Sequence, residues 1–214
     1  MTYSVKEIYF TLQGEGAQTG RAAVFLRFSG CNLWSGREQH RKEAICKFCD
    51  TEFVGTDGHG GGKFETAEDL LVAVSSAWPD HLPADRRYVV CTGGEPLLQL
   101  DDAALAALHA GDFEVGVETN GTIAAPSGVD WLCVSPKANA ALVQRSGSEL
   151  KLVYPQTESE AQPEQFSGLN FDHFYLQPCD DDNRESNTLA AIDYCLQHPQ
   201  WKLSLQTHKI IGID

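Results

Sequence analysis

Three cysteines, Cys31, Cys46 and Cys49, stand in the pattern Cys-x14-Cys-x2-Cys within one loop that carries glycine and charge. Thiolates are soft metal ligands, and three of them make an incomplete set. Structural zinc takes four closed positions, whereas an iron-sulfur cube held by three thiolates keeps one iron open for a small molecule. The Cys-x-x-Cys pair alone also fits a dithiol redox pair or half of a zinc site, with His40 inside the loop as a further zinc ligand. The remainder of the chain has to decide between these.

Two further stretches carry groups suited to a small polar ligand. In Gln13-Gly14-Glu15-Gly16 two glycines bracket a carboxylate; this is either a solvated turn or a close-approach loop, where missing side chains admit a ligand and Gln13 and Glu15 offer acceptors to a nitrogen-rich ring. Arg27 is the one charge in the apolar run Ala22 to Phe28, which reads either as a structural ion pair or as a bidentate clamp for a substrate carboxylate.

The elements that position these groups follow from the apolar pattern. Val5–Leu12 and Ala22–Phe28 are extended; Thr66 caps a helix bearing Leu70, Leu71, Val74 and Trp78, ended by Pro79 and Pro83. Strands at 87–92, 113–117, 131–134, 150–153, 174–176 and 201–205 each stop at polar residues, with helices around Leu105 and Leu108 and from Asn187-Thr188 onward. Gly93-Gly94-Glu95-Pro96 falls at the end of its strand, where glycines expose backbone to a ligand over the sheet edge. Gly55 to Lys63 reads as a mobile loop, and the piece between Val134 and Leu150 is too short and polar for a full outer helix. About seven strands and four or five helices in alternation predict an α/β fold, an incomplete parallel β/α barrel with its active site at the C-terminal mouth.

Composition narrows the class. With 214 residues, 42% hydrophobic and 21% charged, the chain supports one core, read as one domain over 1–214. A net charge of −14 disfavours nucleic acid and favours a small-molecule partner. The apolar runs are too short for a membrane span, and Met1 to Ser4 lacks the features of a signal peptide, so a cytoplasmic protein with seven reduced cysteines is expected. Cys91, Cys133 and Cys195 read as small core residues.

Taken together, Leu12-Gln13-Gly14-Glu15-Gly16, Arg27 to Trp34, Cys46-Lys47-Phe48-Cys49-Asp50-Thr51, Thr92-Gly93-Gly94-Glu95-Pro96, Glu118-Thr119-Asn120-Gly121, Ser135-Pro136-Lys137 and Gln206-Thr207-His208-Lys209 resemble radical S-adenosylmethionine enzymes, and among them the 7-carboxy-7-deazaguanine synthase family of queuosine-precursor biosynthesis. The resemblance spans most of the chain. It departs from the superfamily's usual Cys-x3-Cys-x2-Cys at the first gap, where a modified cluster loop runs over 31–51.

The resemblance implies a 4Fe-4S cluster on Cys31, Cys46 and Cys49, with S-adenosylmethionine on the open iron. Phe48, Cys49 and Asp50 would line its adenine side and Gly94 would meet its amino group. Ser135, Pro136 and Lys137, with Gln177, Pro178, Cys179 and Asp180, would be strand-end contacts to the same cofactor. The implied substrate is 6-carboxy-5,6,7,8-tetrahydropterin, contracted to 7-carboxy-7-deazaguanine with loss of ammonia, a lyase-type outcome. Leu12, Gln13, Gly14 and Glu15 would read the pterin, Arg27 its carboxylate and Thr92 a ring edge, with His208 and the terminal Asp214 closing the pocket. Thr51 matches a magnesium ligand. A flavodoxin-like external electron donor and a homodimer belong to the same expectation.

Two rivals stand beside it. A glycyl-radical activase of the same superfamily would need a surface for a peptide loop. A zinc-stabilised binding protein would need His40 or Cys91 as fourth ligand.

Overall fold

The computed structural model describes residues 2–213. Its strands are β1 (Tyr3–Leu12), β2 (Ala22–Phe28), β3 (Gly62–Phe64), β4 (Tyr88–Gly93), β5 (Glu114–Thr119), β6 (Trp131–Val134), β7 (Ser146–Tyr154), β8 (Asn170–Pro178) and β9 (Trp201–Leu203). They form one curved sheet in the order β3-β1-β2-β4-β5-β6-β7-β8-β9. From β2 to β9 every pairing is parallel. At the other edge β1 runs antiparallel to both β2 and β3, so the parallel arrangement expected of the whole chain begins at β2. The sheet is an open, incomplete barrel.

Alternation along the strands sorts residues into two environments, because successive side chains point to opposite faces. Val24, Leu26 and Phe28 on β2, Val89 and Cys91 on β4, Val115 and Val117 on β5, and Leu150 and Leu152 on β7 join the main core beneath the helices. Fully burying such aliphatic side chains contributes about 1.5–3 kcal/mol each. The opposite parity, with Arg27, Thr92, Glu118, Cys133 and Lys151, faces the barrel interior and lines its cleft.

Three helices cover the outer face: α1 (Ala67–Ala77), α2 (Asp102–Ala110) and α3 (Arg184–Gln197). In α1 the cap is reciprocal, Thr66 Oγ1 accepting from Asp69 N at 3.1 Å while Asp69 Oδ2 accepts from Thr66 N at 3.2 Å. Its buried face is Ala67, Leu70 and Val74. Asp101 caps α2 by accepting from Ala104 N at 2.9 Å and also accepts from Tyr3 OH at 2.7 Å, which pins the helix to the start of β1.

The α3 helix starts at Arg184, three residues before the sequence-based start. Its Asn187 side chain donates to Cys179 O and to Asp181 Oδ1, both at 2.9 Å, and thereby fixes the turn that leaves β8 at the mouth. As expected, no helix lies between β6 and β7. Two elements differ from the sequence reading: the tail of the Gly55–Lys63 stretch pairs with β1 as β3, and a short helix, α4 (Thr207–Ile211), follows β9.

Candidate active site

The C-terminal ends of the parallel strands surround a cleft of about 410 Å3. Cys31, Cys46 and Cys49 all border it. Cys31 Sγ accepts from Leu33 N at 3.4 Å, and Cys46 donates to Cys49. That hydrogen bond, with help from Thr51 N–H and against burial, holds Cys49 at about 6, while the same bond and burial push Cys46 up; burial also raises Cys31. The hydrogen bond between Cys46 and Cys49 thus favours the thiolate at Cys49 over its partner.

The loop between these cysteines is braced from its own insertion. Arg41, in a 3-10 turn spanning Glu38–Glu43, donates to the carbonyls of Lys47 at 2.9 Å and Cys49 at 3.1 Å, and its guanidinium lies 4.1 Å from the Trp34 ring centroid. On the opposite side Gly94 packs so closely on Gly30 O and Cys31 Cβ that any side chain would collide. Glu95, fully buried, keeps this corner in place by accepting from Leu97 N at 3.1 Å, Thr119 Oγ1 at 2.7 Å and Asn120 N at 2.8 Å. Burial raises its pKa against those donors.

Among the described residues the trio has no fourth protein ligand. The zinc reading required His40 or Cys91, but His40 is exposed and bonded to Ser35 and Gln39, and Cys91 faces the helix side of β4 inside the core. Cys179 and Cys133 do border the cleft, yet they are engaged with Asp181 and Glu149 respectively. Among the described residues no three His, Cys, Asp or Glu side chains converge on a single-ion site. Three soft donors around a shared space, with no fourth, fit a multi-iron cube with one open position.

Deeper in the cleft lies a polar floor. Gln13 Nε2 donates to Glu118 Oε1 at 2.8 Å, and Gln13 Oε1 accepts from Glu15 N at 3.1 Å. Glu15 Oε2 is paired with Lys151 Nζ, and Lys151 also reaches Glu118 Oε2 at 3.4 Å. Burial works against the Lys151 ammonium, but Glu118 and Glu15, with Cys133 and Glu149 behind them, carry its pKa well above the ordinary value. Burial likewise disfavours the Glu15 carboxylate and is outweighed by Lys151, Gln206 and His208. Arg27 is on the wall, with Nε donating to Glu7 at 2.7 Å and Nη2 to Tyr9 OH at 3.0 Å, so it has the ion pair and still borders the cleft.

The α4 helix crosses the mouth. Thr207 donates to Gly14 O through both N and Oγ1 at 2.9 Å, and His208 sits against Gly14 where a side chain would clash with its ring. Gln206 Nε2 reaches Glu15 Oε1 at 3.0 Å and Asp50 Oδ2 at 3.4 Å, and Lys209 bridges Asp50 at 2.5 Å and Asp180 at 2.6 Å. Beside the cysteines Lys137 donates to Ser135 O at 2.6 Å and Oγ at 2.7 Å, with burial drawing its pKa down.

Comparison with known proteins shows which family the chain belongs to. The chain is 67% identical over 213 residues to the 7-carboxy-7-deazaguanine synthase of Caulobacter vibrioides, with 100% of each covered, and 62% identical, again over both full lengths, to that of Bordetella pertussis. It belongs to the 7-carboxy-7-deazaguanine synthase family. QueE from Escherichia coli superposes with a TM-score of 0.72 at 26% identity, covering 96% of this chain and 94% of that one. No family model matches the chain. The fold is accordingly the incomplete barrel of radical S-adenosylmethionine enzymes, and membership of the synthase family implies a 4Fe-4S cluster and S-adenosylmethionine.

Most sequence-predicted residues of this synthase-family chain reach the cleft: Leu12, Gln13, Gly14 and Glu15; Arg27 and Thr92; Phe48, Asp50, Thr51 and Gly94; Ser135 and Lys137; Gln177, Pro178, Cys179 and Asp180; and His208. Pro136 does not, being buried between Ser135 and Lys137 with its side chain off the lining. Asp214 lies outside the described residues. Lys151, Arg41 and Lys209 were given no role by the sequence reading. For Lys151 the deciding fact is the placement of β6 and β8 on either side of its strand, so that Glu149 and Lys151 cannot face solvent as an edge pair would; the sequence alone carries no such signal.

Proposed function

We propose that this site converts 6-carboxy-5,6,7,8-tetrahydropterin to 7-carboxy-7-deazaguanine with release of ammonia, as a radical carbon-nitrogen lyase in queuosine and 7-deazapurine biosynthesis. The observation that carries the reading is that a three-thiol set lacking a fourth ligand and a polar floor of Gln13, Glu15 and Glu118 open onto one cleft. The names of relatives matched along their full length agree with it.

In this reading Cys31, Cys46 and Cys49 hold the cluster. When bound, cluster and S-adenosylmethionine supply a carbon-centred radical able to abstract a hydrogen atom from the substrate. Gly94, held against Gly30 and Cys31 just after β4, meets the cofactor's amino group through its backbone. Phe48, Cys49 and Asp50 line the adenine side of the cofactor, and the strand ends at Ser135-Pro136-Lys137 and Gln177 to Asp180 are further contacts to it. The displaced position of Pro136 makes its share one of backbone shape.

Gln13, Gly14 and Glu15 bind the pterin ring and Leu12 covers it. Thr92 meets an edge, and Arg27 takes the carboxylate while Glu7 and Tyr9 hold its guanidinium in the wall. His208, seated on Gly14, closes the pocket and excludes water. Thr51 fits a magnesium ion completed by substrate and water oxygens.

The remaining parts of the reading are one domain over the whole chain, supported by the single continuous sheet, a homodimer, a cytoplasmic location and an external flavodoxin-like donor. On the insertion next to the cysteines Arg41 is paired with Glu38, and Lys42 and Lys47 leave positive charge beside it, which suits an acidic donor. No helix among the described residues is long and apolar enough to cross a membrane.

The test is anaerobic reconstitution followed by incubation with S-adenosylmethionine, a one-electron reductant and the carboxylated tetrahydropterin. About four irons per chain, with 5′-deoxyadenosine and 7-carboxy-7-deazaguanine released, is the expected result. A loaded protein that yields no deazaguanine from this pterin contradicts the reading.

A further inference from the structure

Lys151 is 4% exposed on the interior face of β7 and forms two ion pairs, to Glu15 after β1 and to Glu118 on β5. A buried ammonium is tolerated only with such partners, and two carboxylates in one interior are tolerated only with such a cation; without it one of them takes up a proton. The surroundings are crowded with charge. Glu149, on the same strand, accepts from Ala17 N at 2.8 Å, Cys133 on β6 is bonded to it, and Lys137 and, from α4, His208 also act on the group.

Each oxygen of the two glutamates is already tied once. Glu15 Oε2 has Lys151 and Oε1 has Gln206 at 3.0 Å; Glu118 Oε2 has Lys151 and Oε1 has Gln13 at 2.8 Å. A carboxylate oxygen accepts two hydrogen bonds, so both groups retain acceptor capacity while their planes are fixed. Both line the cleft.

We infer that Lys151 is a positioning residue for the substrate: it clamps Glu15 and Glu118 as a fixed pair of acceptors for the N–H edge of a planar, nitrogen-rich ring. The inference rests on the reading that this site takes a pterin and adds what holds the recognising carboxylates in register. With its ammonium between two carboxylates, Lys151 binds the substrate through them, and the substrate's own carboxylate falls to Arg27.

The test uses the reconstituted, unreduced holoenzyme with S-adenosylmethionine present, so that pterin binding is followed calorimetrically without turnover. Lys151→Met is expected to weaken the pterin by about 10- to 100-fold at neutral pH, while cofactor affinity stays within about twofold. Its pterin affinity should rise with pH, because one of the two carboxylates left without a cation must lose a proton before both can accept; the unaltered protein should show no such limb. Lys151→Arg is expected to recover part of the loss.

Lys151→Met/Glu149→Gln removes one buried negative charge to offset the lost positive one, and should show the same weakening if Lys151→Met alone does not fold. Unchanged pterin affinity and pH profile in either Met-bearing variant overturns the inference. In the unaltered protein, carbon-13 spectra of labelled glutamate should show Glu15 ionised at pH 6, and a protonated carboxyl there overturns it too. Failure of the unaltered protein to bind the pterin counts instead against the functional reading itself.

Discussion

The guanidinium of Arg41 stacks on the indole of Trp34 at 4.1 Å. The same side chain holds the carbonyls of Lys47 and Cys49, so one residue of the insertion shapes the loop that carries two of the three thiols. Arg41→Ala should leave the core intact and release cluster iron to a chelator about tenfold faster, the equivalent of about 1.4 kcal/mol of lost bracing. Arg41→Lys should rescue only in part, because an ammonium lacks the planar face and the forked donors. Equal iron-release rates for all three proteins would count against it.

The cysteines should divide cleanly by position. Cys31→Ala, Cys46→Ala or Cys49→Ala is expected to drop iron from about four per chain to near background after reconstitution, with circular dichroism unchanged, because the trio sits on the cleft and outside the main hydrophobic cluster. Cys91→Ser should do the reverse: full iron, with the fold weakened by about 1–3 kcal/mol for a hydroxyl placed in an apolar core. Iron loss from Cys91→Ser would show that the assignment of ligands is wrong.

Acid should weaken the fold partly through Asp101. Burial raises its pKa, but hydrogen bonds from Ala104 N and Tyr3 OH outweigh that and set it below the ordinary carboxylate value. A depressed folded value means the contribution is complete above about pH 4 and is lost as pH falls through the folded pKa. Asp101→Asn, still a capping residue, should keep most of the neutral-pH stability and flatten the acid slope. Asp101→Ala strands the buried Tyr3 hydroxyl as well as the helix cap, and should lose about 2–4 kcal/mol, an unfolding midpoint roughly 4–16 °C lower. Urea titrations at pH 7 and pH 3.5 separate the two variants.

Lys209 ties α4 to Asp50 and Asp180 across the mouth. These pairs are partly exposed, so each contributes up to about 1 kcal/mol. Lys209→Met should therefore speed amide exchange over 207–211 and weaken pterin binding by up to about tenfold, without moving the unfolding midpoint. Exchange unchanged in that segment would mean that Thr207 and Gly14 hold the helix unaided.

Much of this was legible from residue types. Short apolar runs ending in polar residues marked β4 to β9, since a parallel strand covered on one face by helices and lining a ligand cleft with the other must change character at its C-terminal end. Thr66 and Asp69 marked a helix start through a local bond. Strand direction was not legible: Val5–Leu12 looks alike whether it runs with or against β2. Neither was β3, a three-residue strand in a glycine run, nor α4, whose five residues cannot show a helical period. Lys151 and Glu149 look like an ordinary solvated alternation until β6 and β8 are placed beside them, and Arg41 looks like one charge among several in an insertion. Such residues act through partners distant in the chain, and no window of sequence contains both halves.

Gly14 and Thr207 are bonded although 193 positions apart in the chain, which sets an order of events in folding. Gly14 precedes β2 and α4 follows β9, so wall and strap meet only when the sheet between them is in place. Until then the barrel stands open on that side, and the cysteine loop bordering the same cleft remains reachable from solvent. Any group these thiols take up thus has an entry route that the docking of α4 narrows.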